Sequence, residues 1–161
     1  MASRGQDERG DLMGDRIVVR LTDGERFTPE FYGHWCGLRA VKVMNEVIRE
    51  GQSNGMHSLF CNFIMAVMQY QKHPYSYYLY NNGEADGSAD WDNYTWTFDV
   101  KDNVWRTTVP ELEGKELTIE EAEEYVKRTF PCLYNTCKCE NYGSDFCDLY
   151  FREKMMKGAS Q

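Results

Sequence analysis

The chain has 161 residues, 42% of them hydrophobic and 27% charged, and its 18 Lys+Arg against 26 Asp+Glu give a formal net charge of −8. That length and balance suit one globular domain able to bury a core without metal or disulfide staples, and they exclude a disordered or fibrous chain. No apolar run reaches the roughly 18 residues of a membrane span, and a pI near 4.9 argues against direct binding of a nucleic-acid backbone, which needs a basic face.

Residues 1–14 are charged and Gly-rich with little apolar content, so they read as a disordered tail ahead of a core domain over residues 15–130. The β-branched run from Arg16 to Leu21 predicts a strand, and Asp23-Gly24 predicts a hairpin turn. A second strand is expected from Arg26 to Trp35, with Pro29 marking an edge or an irregular stretch. Leu38, Val41, Met44, Val47 and Ile48 recur at helical spacing, and Gly51 ends that helix. A second helix, Ser58 to Gln71, is apolar nearly all round and is expected at the centre of the core. Strands follow at Tyr75–Tyr80, Tyr94–Val100 and Val104–Val109, the last two joined by a tight turn at Asp102-Asn103. Thr118 and Glu121 form a capping box opening a third helix that Pro131 closes. The order β-β-α-α-β-β-β-α predicts an α+β domain, an antiparallel sheet packed against two to three helices, followed by a Cys-rich extension over 131–161.

Four features could carry chemistry. Cys132, Cys137, Cys139 and Cys147 are separated by four, one and seven residues. Four thiolates could hold a structural zinc, although the paired C-x2-C knuckles of a strong zinc motif are missing; local disulfides or free thiols are the other readings. Residues 1–15 lack the apolar segment of a secretory signal, which points to a reducing cytoplasm. Cys36 precedes a helix N-terminus, with His34 two residues away, which is the minimum for a thiol nucleophile and its base. The plainer alternative is a small buried cysteine. In Asn81–Asn93, Glu84, Asp86, Ser88, Asp90 and Asp92 alternate as calcium-loop oxygens do. Read from Asp86, however, the sixth position is Trp91 and the twelfth Thr97, so the loop is not an EF-hand; it reads as a solvated acidic loop or a weak cation site. Finally, Tyr78, Tyr80, Trp91 and Trp96 crowd the predicted strands, where exposed rings could stack a nucleotide or form a protein-binding patch, and inward-facing rings would simply pack the sheet.

The stretch Phe31-Tyr32-Gly33-His34-Trp35-Cys36-Gly37 resembles a group of uncharacterised small proteins of archaea, bacteria and their phages. In that group a strand runs into an "HWGG" motif, two helices follow, and a Gly- and Asp-containing hairpin ends in a valine-aspartate strand. The matching pieces here are His34-Trp35, the helix through Glu50-Gly51, the helix Leu59 to Met68, Asp92-Asn93-Tyr94 and Phe98-Asp99-Val100, within residues 16–106. Cys36 stands where the group has glycine, which weakens the nucleophile reading, and the segment from Cys132 lies outside the resemblance. The resemblance implies a fold and a prokaryotic or phage setting but no activity.

Residues 84–124 hold 13 acidic and 3 basic residues. With no catalytic constellation in view, an acidic, aromatic-rich surface predicts a non-enzymatic binding or inhibitory protein that occupies a protein partner. A nucleotide-sequestering protein with His34, Trp35 and the sheet aromatics lining its site is the first alternative; an enzyme using Cys36 and His34 is the second.

Overall fold

The structure, a computed structural model, describes residues 16–34, 36–51, 54–70, 77–85, 87–90 and 92–130. Its elements follow the expected order: β1 (Ile17–Thr22), β2 (Glu30–Gly33), α1 (Arg39–Glu50), α2 (Met56–Tyr70), β3 (Tyr77–Tyr80), β4 (Thr95–Asp99), β5 (Val104–Thr107) and α3 (Ile119–Thr129). A short 3-10 turn at Pro110–Leu112, which the sequence reading did not anticipate, leads from β5 toward α3.

The five strands form one sheet in the order β3-β2-β1-β4-β5. The sheet is mixed and not wholly antiparallel, because β1 and β4 run parallel with Val19 opposite Trp96 and Leu21 opposite Phe98. A parallel pair needs a long crossover connection; here β2, both long helices and β3 all lie between the two strands.

Alternation along the strands divides the sheet into two unlike faces. Ile17, Val19, Leu21, Phe31, Trp96, Phe98 and Trp105 point to one side and pack with all three helices in a single core. The other side carries Val18, Arg20, Tyr32, Thr97 and Arg106, and among the described residues no helix packs on it.

α1 buries Ala40, Val41, Val43, Met44 and Val47, and ends where Gly51, at φ 65°, donates its N–H to the Ile48 carbonyl. The positive φ is the reason glycine stands there. α2 is not the central helix its composition suggests. It presents Leu59, Phe60, Phe63 and Val67 inward, with Phe63 edge-on to Phe31 at 5.1 Å, but leaves Met65 and Met68 65% and 48% exposed. In a two-layer fold each helix covers the sheet on one side only, so an apolar composition does not place α2 in the middle. α3 opens with the expected capping box: Thr118 Oγ1 accepts from the Glu121 N–H, and the Glu121 carboxylate accepts from the Thr118 N–H.

The β1–β2 connection departs from the tight Asp-Gly hairpin of the sequence reading. β1 and β2 pair as Val18 with Tyr32 and Val19 with Phe31, whereas Thr22 bridges to Phe27, so the register slips by one residue across Thr28-Pro29. Proline cannot donate to the ladder. The Thr28 side chain compensates, its Oγ1 accepting the Leu21 N–H at 2.9 Å while its own N–H donates to the Leu21 carbonyl at 3.0 Å.

At the end of β2 the backbone of Gly33 lies against the buried Cys36, close enough that a Cβ on residue 33 would stand 2.1 Å from Cys36 Sγ. Gly33→Ala is therefore expected to cost about 1–3 kcal/mol through overpacking. Adding Cys36→Ala removes the clashing sulfur and should recover most of that loss. Urea denaturation of the two single variants and the double variant checks this, and an additive double variant would contradict the contact.

Candidate binding face

The face of the sheet opposite α1, α2 and α3 has two parts. Over β3, β2 and the start of β1, the connection between β3 and β4 folds back onto the sheet. Ala85 and Ala89, both 1% exposed, pack with Val18, Tyr32 and Tyr80 in a second small core. The acidic loop of the sequence reading is in this way seated on the sheet.

Its anchor is Glu30, a residue that sequence reasoning passed over. Glu30 is 3% exposed. One carboxylate oxygen accepts from Arg20 Nη1 and from the Gly83 N–H, both at 3.0 Å, and the other accepts from the Ala85 N–H at 2.9 Å. The available signal was the alternation Glu30, Tyr32 on one strand and Arg20 on its neighbour. It was obscured by the register slip at Thr28-Pro29, because a hairpin closed tightly at Asp23-Gly24 would have set Arg20 opposite Phe27.

A second anchor joins the far end of the loop to the start of β1. Arg16 donates through Nε to Asp92 at 2.6 Å and through its N–H at 3.2 Å, and the Arg16 carbonyl accepts from the Asn93 N–H and side chain at 3.1 Å. The hydrogen bond to the Asp92 carboxylate holds the Arg16 guanidinium above its ordinary pKa, against the effect of burial. Asp92, expected as a ligand-binding residue, is a clamp on the loop.

The expected aromatic residues separate. Tyr78 and Tyr80 share the open face with Tyr32, the three rings lying 5.8 to 6.1 Å apart, and the Tyr32 hydroxyl is 3.0 Å from His34 Nδ1. His34, Tyr78 and Tyr80 are thus brought around Tyr32. Burial pushes the Tyr32 phenol above its ordinary pKa, so its proton stays in place across the neutral range. Trp96 does not belong to this face: it is fully buried among the helices, edge-on to Trp105 at 5.9 Å, with its indole N–H on the Asn93 carbonyl. Trp35, Trp91 and the zinc candidates Cys132, Cys137, Cys139 and Cys147 lie outside the described residues.

The Cys36–His34 pairing gains no support from the geometry. Cys36 is 3% exposed and belongs to the core under the helices, while the His34 ring meets Tyr32, which belongs to the small core on the opposite face. Burial, together with the nearby Cys36 thiol, pushes the Tyr77 phenol well above its usual range, with Arg39 acting in the opposite direction. Among the described residues no group of three or more His, Cys, Asp and Glu side chains could hold a metal ion, and no helix is long and apolar enough to cross a membrane.

The acidic stretch 84–124 also divides. Asp92 pairs with Arg16, Asp99 with Arg106, Glu116 with Arg106 and Glu123 with Arg49. Among the described residues of this stretch the exposed acids are Glu84 and Asp90 on the loop over the open face, Asp102 at the β4–β5 turn, and Glu111, Glu113, Glu116, Glu120, Glu121 and Glu124 leading into and along α3. The second part of the open face lies beyond the loop, where β1, β4 and β5 form a recess whose lining includes Arg20, Phe27, Thr95, Thr97, Arg106 and Thr108. Compared with protein-family models, curated proteins and solved structures, the chain finds no match.

Proposed function

We propose that this chain is a binding module that captures an extended segment of a protein partner along β3, next to the tyrosine face. The observation that carries the reading is the asymmetry of the sheet edges. At one edge, β5 is covered where Trp105 and Leu117 exchange backbone hydrogen bonds at 2.8 and 2.9 Å. At the other, no strand among the described residues pairs with the outer side of β3, and its Tyr78 and Leu79 are 49% and 58% exposed on opposite faces. An open edge supplies a row of unused backbone donors and acceptors, and alternate side chains on both faces supply specificity. Tyrosine is a frequent anchor in such contacts. The exposed Glu84 and Asp90 beyond the end of β3 favour a partner segment with Lys or Arg at that position, and the overall charge of −8 favours a basic partner at longer range.

Selection from a displayed library of random peptides tests this reading. Enriched sequences should alternate apolar residues and carry a basic residue at one end. The double variant Tyr78→Ala/Leu79→Lys should bind them at least about tenfold more weakly, a loss of about 1.4 kcal/mol, while its melting temperature stays near that of the parent because both side chains are exposed. Peptides that bind the double variant equally well, or a selection that enriches no alternating sequence, would overturn it.

A further inference from the structure

The recess beyond the loop is a different site with different chemistry. It measures about 330 Å³, within the range of small-molecule pockets. Its floor is β4. Arg20 of β1 stands opposite Thr97, and Thr97 stands opposite Arg106 of β5, so the two arginines rise from strands two spacings apart, about 10 Å.

Both arginines are fixed and neutralised. Arg20 donates through Nε to Thr97 Oγ1 at 3.0 Å and through Nη1 to Glu30 at 3.0 Å and Asn82 at 2.5 Å. Arg106 donates to Asp99 at 2.9 Å and to Glu116 at 2.5 and 3.1 Å. Two guanidinium groups thus meet four carboxylates, Glu30 on Arg20 and Asp99, Asp102 and Glu116 on Arg106. An anion would meet no net positive charge, and a cation would find each carboxylate already engaged. The charges hold the donors still; they do not select a charged ligand.

What remains is hydrogen-bonding capacity beside an apolar surface. Nη2 of Arg20 and the hydroxyl protons of Thr95, Thr97 and Thr108 donate to no described residue. Threonine hydroxyls can both donate and accept. The Phe27 ring, with Arg20 over it at 4.6 Å, closes one end and remains 42% exposed. Fixed donors, hydroxyls of dual character, carboxylates already engaged by arginine and one aromatic ring suit a molecule with many hydroxyl groups and a face of C–H bonds.

We propose that this recess binds one uncharged sugar ring, its hydroxyls on Thr95, Thr97 and Arg20 and its C–H face against Phe27. The site is independent of the β3 edge, and the two proposals can fail separately.

Ligand-observed saturation-transfer NMR on the full-length protein, with a panel of neutral monosaccharides and disaccharides, tests the site. A uronic acid, a sugar phosphate and an amino sugar serve as charged counterparts. At least one neutral sugar should receive saturation, and the charged analogues of that sugar should receive less. Thr97→Val, which keeps the shape of the side chain, and Phe27→Ala, which removes an exposed ring, should each weaken binding by about tenfold without changing the binding of β3-directed peptides. A printed glycan array then separates the two sources: a signal there assigns the site to a chain end, and its absence beside a positive NMR result assigns it to free sugar. Binding of the charged analogues alone, of no sugar at millimolar concentration, or equal binding by both variants would overturn the proposal.

Discussion

Glu30→Ala is expected to destabilise the protein by about 3–5 kcal/mol, the range found when one partner of a buried ion pair is removed. Three donors converge on that carboxylate: the Arg20 guanidinium and the N–H groups of Gly83 and Ala85. The Ala85 N–H is buried with it. Alanine would leave that donor without an acceptor and Arg20 with only Asn82 and Thr97, and an unsatisfied buried donor costs about 1–3 kcal/mol by itself. At about 1–3 kcal/mol per molar of urea, the unfolding midpoint should fall by roughly 2 M. Glu30→Gln keeps one acceptor oxygen and the volume of the side chain, so its loss should be about half as large.

The same substitution should act locally. With Glu30 gone, the segment carrying Ala85 and Ala89 is held on the sheet by their contacts with Val18, Tyr32 and Tyr80 and, further along, by Arg16 and Asp92. Limited proteolysis should then cut between Asn81 and Asp90 in Glu30→Ala at a denaturant concentration where the parent is intact. A variant with an unchanged midpoint and an unchanged cleavage pattern would show that Glu30 is not the anchor.

How much of this was legible in the sequence depended on whether the signal was local. Helical spacing identified α1, and the Thr118/Glu121 box placed the start of α3 correctly, because both are set by neighbouring residues. The order of elements followed as well, with β2 shortened to Glu30–Gly33 behind Pro29. The parallel pairing of β1 with β4 did not follow, since a strand's own alternation carries no record of which distant strand lies beside it. The candidate site suffered from the same gap. Tyr78 and Tyr80 could be put on one face by parity alone, but joining them to Tyr32 required the β2–β3 register. Glu30, Arg20 and Arg106 carried no local signal, because their partners lie 7 to 55 residues away in the chain. Net charge misled in the other direction. Six of the described acids in residues 84–124 pair with arginines, and the exposed ones are spread over the loop, the β4–β5 turn and the surroundings of α3, so one continuous acidic surface does not form among the described residues.

The aromatic residues show most directly where composition and position part company, and Trp105 provides the measurement. Trp105→Ala is expected to cost about 3–5 kcal/mol, as for other large buried aromatics. The ring is fully buried, lies 5.2 Å from Phe98 and 5.9 Å from Trp96, and donates its indole N–H to Asn45 Oδ1 at 2.8 Å. Asn45 is itself fully buried on α1 and reaches the Ile119 carbonyl at the start of α3. One hydrogen bond therefore ties β5 to α1 at the point where α1 meets α3. Trp105→Phe keeps an aromatic ring but strands the Asn45 oxygen, and Asn45→Leu strands the indole N–H. Each single change leaves one buried polar group without its partner, at about 1–3 kcal/mol. The double variant Trp105→Phe/Asn45→Leu removes both polar groups together and should be less destabilised than the sum of the singles by about 1 kcal/mol or more. Additive losses in this cycle, measured by urea denaturation, would mean that the indole–amide bond contributes nothing beyond packing. A Trp105→Ala variant as stable as the parent would return that ring to the surface, as a candidate for binding and not for the core.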